Sequence, residues 1–379
     1  MIYLDWTATS KPLKEVVEVY NKMNEEYWYN PSSMYKNAAI VKSLIDRASQ
    51  SIFATLGLHD KSIYYTSGAT EANNMAIQGF VMPYKNQNKH IITTEIEHAS
   101  VYNVFEFLEK EGFRVTYLKC ENGMIDLDEL EKALTKDTIL VSIMWVNNII
   151  GSINPMKKII DLVKAKSHAK IHSDLVQGIC KIQPDFDFND LDLMTITFHK
   201  IEGLKGIGAL IINKNLQLNP LFYGGHQQNQ LRPGTNDASL IVASAKAIRI
   251  NFAKTIIHYQ YVQKLYHYLV EKLAKFSFID INKKGDYDLL DGYYSPYVLS
   301  ISFKNIKAET AMHFLEENDI LVGIGSACNE KTKMVDRSVY ALTKSETKAY
   351  HMIRISLGYH NTIQELDYFI EKLQELGNK

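Results

Sequence analysis

Between about residue 60 and residue 215, short apolar runs alternate with amphipathic stretches, and this alternation leaves few architectures open. The runs are SIYYTS, HIITTE, RVTYLK, ILVSIMWV, KIHSDL, LDLMTITF and GALIIN. Between several of them lie helical patterns such as ASVYNVFEFLEKEG and LDELEKALTK, with apolar positions three and four apart. Strand–helix–strand order predicts an α/β fold built on a mainly parallel sheet with both faces covered. Ligands of such sheets bind outside the carboxyl ends of the strands. Here those ends carry SGATEANN, IEHAS, NNIIG, SDLVQG and HKIEG, so five of them bring polar or ionisable groups to one shared site.

Beyond residue 250 the pattern changes to a long helix, IIHYQYVQKLYHYLVEKLAKF, then strands such as VLSISF and MIRISL and a last amphipathic helix. The expectation is a large domain over residues 14–252 and a smaller α+β domain over 253–379, with residues 1–13 packing against the smaller one. A chain of 379 residues is long enough to bury both cores. The formal net charge of -1 gives no field that would draw in nucleic acid or an anionic membrane. Cys120, Cys180 and Cys328 form no CxxC or His/Cys cluster, which argues against a structural metal or a disulfide framework. No run of about 18 apolar residues occurs and MIYLDWTATS has no leader pattern, so the reading is a cytoplasmic protein.

The choice of cofactor turns on the strand ends. No GxGxxG follows the first strand and no GxxxxGK[ST] occurs, which removes the dinucleotide and triphosphate readings. Ser67-Gly68-Ala69-Thr70 opens a helical pattern, where free N–H groups favour a single phosphate. Taken alone, that stretch is explained at least as well as a plain capping motif. Lys200, at a strand end and before GLKGIG, is a candidate for covalent attachment to the aldehyde of pyridoxal 5'-phosphate. That cofactor needs an acid beside its ring nitrogen, which Asp174 can supply, and His98 can stack on its ring.

The chain resembles the cysteine desulfurases of the NifS/IscS type, in the class V aminotransferase group of fold type I. The resemblance rests on YLDWTAT, NPSSMYKNA, YTSGATEANNMAI, IEHASV, NGMIDLDELEKAL, VSIMWVNNIIG, HSDLVQ, HKIEGLKGIGAL, GGHQQNQLRPGT, GIGSAC and RISLG, in order over some 350 residues. It implies a pyridoxal 5'-phosphate enzyme that takes sulfur from L-cysteine, gives L-alanine and passes the sulfur to a protein acceptor. By the same resemblance Lys200 carries the cofactor, Asp174 partners its ring nitrogen, and Asn148 and Gln177 bond its phenolic oxygen. Ala69, Thr70, Thr197 and His199 hold the phosphate, and Thr235 reaches it from the other subunit of a homodimer. Arg354 pairs with the substrate carboxylate, a task that suits a guanidinium, and Asn148 lies beside the substrate. His98 moves protons, and Cys328, in GSAC, is the nucleophile that receives the sulfur. Gly323, Gly325 and the polar NEKTKM predict a loop around Cys328 that carries it between cleft and acceptor.

Several positions depart from the family pattern. Trp6 and Thr7 replace an asparagine-containing stretch and are expected to make the carboxylate edge of the pocket bulkier. Ile149 stands in place of an acid, Phe198 in place of glycine, and Leu204 in place of proline. The alternatives are a selenocysteine lyase or other β-lyase on the same scaffold, or a catalytically weak homologue acting as a binding partner. Cys328 argues against the lyases, because simple elimination needs no protein thiol, and Lys200, Asp174, Arg354 and Cys328 together argue against the weak homologue. The chain ends soon after its last helical pattern, which favours a dedicated role in tRNA or cofactor thiolation over iron–sulfur assembly.

Overall fold

The computed structural model describes residues 1–121, 123–283, 293–325 and 335–378. Their strands are β1 (Ile2–Leu4), β2 (Lys61–Thr66), β3 (His90–Thr94), β4 (Arg114–Leu118), β5 (Thr138–Ser142), β6 (Lys170–Asp174), β7 (Leu193–Thr197), β8 (Gly208–Asn213), β9 (Ile279–Ile281), β10 (Val298–Phe303), β11 (Ile320–Ile324) and β12 (Met352–Ser356). All seven candidate strands between residues 60 and 215 fall in one seven-stranded sheet of order β2-β8-β7-β6-β5-β3-β4. The pairs β3–β4, β3–β5, β5–β6 and β6–β7 are parallel. β8 is antiparallel to both of its neighbours, β2 and β7. Since β2 and β7 both oppose β8, β2 runs with the parallel strands, and its carboxyl end meets theirs.

Most of the runs carry apolar residues on successive positions because both faces of the sheet are covered. Successive residues point to opposite faces, and the cores sort accordingly. Ile92, Val141, Met194 and Ile211 pack into one cluster with the helices Lys36–Leu56, Met156–Lys166 and Ala238–Ala253. Their neighbours Ile91, Leu140, Leu193 and Leu210 pack into another, with the helices Ala69–Val81 and Ala99–Lys110. Each fully buried Leu or Ile contributes about 1.5–3 kcal/mol, and a register slip of one residue would exchange the two faces.

A second sheet, of order β1-β11-β12-β10-β9, combines the first residues of the chain with its last third. β1 pairs in parallel with β11, while β12 is antiparallel to both β11 and β10. Its core, with Leu4, Val298, Ile301, Ile353 and Phe369, is closed by the helices Thr255–Leu273, Ala308–Glu317 and Ile363–Gly377. The β1 pairing carries Asp5 and Thr7 to the mouth of the larger sheet, so both ends of the chain contribute to one cleft.

Candidate active site

A cavity of about 1110 Å³ opens at the carboxyl ends of β2, β3, β5, β6 and β7, and Arg354 of β12 closes it from the smaller sheet. Ala69, Thr70, His98, Asn148, Asp174, Gln177, Thr197, His199, Lys200 and Arg354 all line it. Thr235 is exposed and lies outside that lining. Cys328 lies outside the described residues, as do Asn329 to Met334.

One stretch of the cavity wall is built by the turn from β2 into the helix Ala69–Val81. The first N–H groups of any α-helix have no intrahelical partner, and those of Ala69 and Thr70 open on the cavity. Gly208 at the start of β8 lets this turn come close: a Cβ there would lie 2.6 Å from the carbonyl carbon of Gly68.

Lys200 follows β7 in a single 3-10 turn, Phe198–Lys200. Its Nζ donates to the carbonyls of Thr7 at 2.5 Å and Ala8 at 2.6 Å. Burial pushes its pKa down to about 8, and the Arg354 guanidinium adds to the shift. The amine is therefore far easier to deprotonate than a surface lysine.

Asp174 ends β6 and is buried. Its Oδ1 accepts from the Val176 N–H at 3.0 Å and its Oδ2 from Asn73 Nδ2 at 2.9 Å. Asn73 Nδ2 also donates to Ser100 Oγ at 2.8 Å, and Ser100 Oγ pairs with His98 Nδ1 at 2.8 Å. A carboxylate only accepts, so Asp174 fixes which end of the Asn73 amide is the donor. The Ser100 backbone N–H points at His98 Nδ1, so that nitrogen accepts, and the Ser100 O–H, whose oxygen takes the Asn73 amide, donates to it as well. The Ser100 N–H reaches the same nitrogen at 3.1 Å, capping the helix Ala99–Lys110. The imidazole proton is thereby left on Nε2. Burial lowers the pKa of His98 further, which favours the neutral ring. In this tautomer His98 donates at Nε2 and does not accept there. Shuttling a proton requires the Ser100 hydroxyl to turn and Nδ1 to take the hydrogen, at the cost of the cap.

Two carboxyl groups lie beside Arg354 and His98. Arg354 is 8% exposed; its Nη2 bonds Asp5 Oδ1 at 2.6 Å and its Nη1 the Asn148 carbonyl at 3.2 Å. Its buried Nε has no hydrogen-bond partner. Glu97, next to His98, accepts at Oε1 from Met144 N–H (2.8 Å) and Thr94 Oγ1 (3.1 Å), while its buried Oε2 has no partner. Burial pushes its pKa up to about 8, so Glu97 is mostly protonated near neutrality.

The departing residues distribute unevenly. Ile149 and Thr7 line the cavity. Trp6 does not: its ring stacks on His360, with centroids 5.2 Å apart, and meets Tyr3 edge-on. Of the two residues expected to add bulk to the pocket edge, only Thr7 lines the cavity, because the Trp6 ring packs on His360 and faces a smaller cavity. Phe198 is fully buried and is not among the residues lining the cavity.

Sequence reasoning passed over Asn73, Ser100, Asp5 and Glu97. Asn73 and Ser100 stood inside motifs already singled out, SGATEANN and IEHAS, but nothing in either motif shows that they meet.

The residues present fit pyridoxal 5'-phosphate. A low-pKa lysine suits its aldehyde, a buried carboxylate its pyridinium, and a helix N-terminus its phosphate. They also sit at separate walls of one cavity large enough to take it.

The chain matches the family described as aminotransferase class-V over residues 2–369. A NifS/IcsS protein homolog of Lactobacillus delbrueckii subsp. bulgaricus is 36% identical across 99% of this chain and 97% of its own. A cysteine desulfurase IscS of Dictyoglomus turgidum is 34% identical across 100% and 95%. Among solved structures, a NifS-like protein superposes with a TM-score of 0.90 at 31% identity, covering 99% of this chain and 98% of that one. SspA in complex with cysteine superposes with a TM-score of 0.81 at 29% identity, covering 96% and 100%.

Proposed function

The chain belongs to the class V aminotransferase family and, within it, to the NifS/IscS-type cysteine desulfurases, and from that premise we propose which residues carry the reaction. Its fold is that of type I pyridoxal-phosphate enzymes. The observation that carries the proposal is that Lys200, Asp174, His98 and Arg354 meet in one cavity at the strand ends.

Lys200 holds the cofactor through its amine, and Ala69, Thr70, Thr197 and His199 take the phosphate. Asp174 keeps the ring nitrogen protonated, His98 covers the ring, and Asn148 and Gln177 address its phenolic oxygen. Bound there, pyridoxal 5'-phosphate supplies an electron sink that stabilises negative charge on the substrate carbons. Arg354 takes the carboxylate of L-cysteine and fixes its orientation, with Asn148 alongside. The amine of Lys200, once released, is the nearest base that gains and loses a proton close to neutrality, and it moves the hydrogen at the substrate α-carbon. His98 serves the amino group or the thiol through its ring. The Cys328 thiolate attacks the substrate sulfur; the S–S bond forms as the C–S bond breaks, and the electron pair left on carbon takes a proton. The products are L-alanine and a persulfide on Cys328, with no external oxidant or reductant needed.

Residues 14–252 form the cofactor-binding domain and 253–379 the smaller one, joined by residues 1–13. Thr235, exposed in the single chain, reaches the phosphate of a partner subunit in a homodimer. The persulfide passes to a protein acceptor in the cytoplasm, in iron–sulfur assembly or in tRNA or cofactor thiolation. No helix among the described residues is long and apolar enough to cross a membrane.

The depressed pKa of Lys200 gives a direct test. Only the neutral amine adds to an aldehyde, so the rate of loading cofactor-free protein with pyridoxal 5'-phosphate should rise with pH and level off above about 8. An ordinary lysine would keep that rate rising to about 10.4. A stopped-flow absorbance series settles it, and a rise that continues past pH 10 contradicts the assignment.

A further inference from the structure

A second, small cavity of about 50 Å³ lies on the other side of Lys200, with Trp6, Lys181, Glu202 and Tyr297 among its walls. Lys181 is the unusual member. It is 8% exposed, and among the described residues no carboxylate lies within ion-pair distance of it. Its Nζ donates to Gln177 Oε1 at 2.8 Å and otherwise stands 6.0 Å from the centre of the Tyr297 ring. Cys180, immediately before it, holds a left-handed backbone at φ +60°, which non-glycine residues adopt rarely. Burying a lysine without a counter-charge is costly, and burial, followed by the charges of Lys200 and Arg354, pushes its pKa down to about 7.

Gln177 explains what the lysine does there. A primary amide has nearly the same shape either way round, and its partners decide which end is oxygen. Lys181 Nζ faces one end and the Thr7 carbonyl the other, 3.2 Å from Gln177 Nε2. The Thr7 carbonyl can only accept, so it takes the NH₂ end, and the Lys181 amine, charged or neutral, has a hydrogen to give the oxygen end. Oε1 is turned to Lys181, and the NH₂ group, with one hydrogen on Thr7, keeps its second for the main cavity that Gln177 lines. The Thr7 carbonyl also accepts from Lys200 Nζ at 2.5 Å, so a single peptide oxygen ties the amide to the cofactor lysine.

We propose that Lys181 is a positioning residue: by holding Gln177 Oε1 it locks the amide with its NH₂ toward the cofactor, so that the phenolic oxygen always meets a donor and never a carbonyl. This rests on the reading of Gln177 as a cofactor contact. The prediction concerns the cofactor's electronics, and it is distinct from a role in stability.

The test uses the full-length protein loaded with pyridoxal 5'-phosphate, as wild type, Lys181→Met, Lys181→Gln, Gln177→Leu and the double variant Lys181→Met/Gln177→Leu. Two quantities are measured: the midpoint of the pH-dependent change in visible absorption, and the dissociation constant of the cofactor from quenching of protein fluorescence. Lys181→Met is expected to move the midpoint by half a pH unit or more and to weaken cofactor binding several-fold. Lys181→Gln, whose amide can still donate to Oε1, should stay near wild type; it also carries the test if the methionine variant fails to fold. In the Gln177→Leu background the Lys181→Met change should have no further effect. A Lys181→Met protein with a lower melting temperature but wild-type midpoint and affinity overturns the proposal, as does a full Lys181→Met effect without Gln177. If Gln177→Leu alone changes neither quantity, the cofactor contact assigned to Gln177 is wrong, and the proposal falls with it.

Discussion

Lys200→Ala is expected to lower alanine formation from cysteine by about 10⁴-fold or more, the scale on which removing a covalent catalyst acts. The same protein should lose its cofactor on dialysis, since only the phosphate and ring contacts remain. The size of the effect comes from chemistry rather than from folding. In the ligand-free fold Lys200 Nζ makes two bonds, to the Thr7 and Ala8 carbonyls. Losing hydrogen bonds from a charged donor costs about 1.5–3 kcal/mol each, which a domain of this size survives. Denaturant unfolding beside the activity assay separates the two. Alanine formation within tenfold of wild type would remove Lys200 from the reaction.

Arg354→Ala should reduce kcat/KM for cysteine by roughly 30-fold or more, most of it in KM. Truncating one partner of a buried, hydrogen-bonded charge pair costs about 2–5 kcal/mol, and Arg354 is buried in the cavity wall. Its planar fork already spends Nη2 on Asp5 and Nη1 on the Asn148 carbonyl. An incoming carboxylate must therefore share the guanidinium with Asp5. Arg354→Lys keeps the charge without the fork and should recover only part of the loss. Equal falls in kcat and kcat/KM, with KM unchanged, would argue that Arg354 acts on the transition state alone and does not anchor the substrate.

Most strands of the large sheet were legible because a strand covered on both faces tends to carry apolar residues on adjacent positions. That rule finds Ile91-Ile92 and Leu140-Val141 without any knowledge of their partners. The direction of β8 was not legible: GALIIN reads the same in either orientation, and only its pairing with both β2 and β7 reverses it. The three residues of β1 were likewise too short for a pattern, and they become a strand only through β11. In the site, Lys200, Asp174 and His98 could be found because each stands at the carboxyl end of a strand or within four residues of it. Asn73, which links Asp174 to Ser100, lies 101 residues from the first and 27 from the second. Lys181 reads as an ordinary basic residue until its burial is seen. Trp6 was placed at the pocket edge by its position in the motif, but its side chain followed the aromatic surface of His360 instead.

In the proposed reaction, sulfur leaves cysteine through a protein thiol. The measurement that tests it most directly compares wild type with Cys328→Ala, both loaded with cofactor and given cysteine, following alanine and protein-bound persulfide with and without reductant. Wild type is expected to give alanine and persulfide, with the persulfide removed by reductant. Cys328→Ala should show only spectral changes of the cofactor and no persulfide. Equal product from both proteins would contradict it and turn the reading to a β-lyase, which needs no thiol of its own.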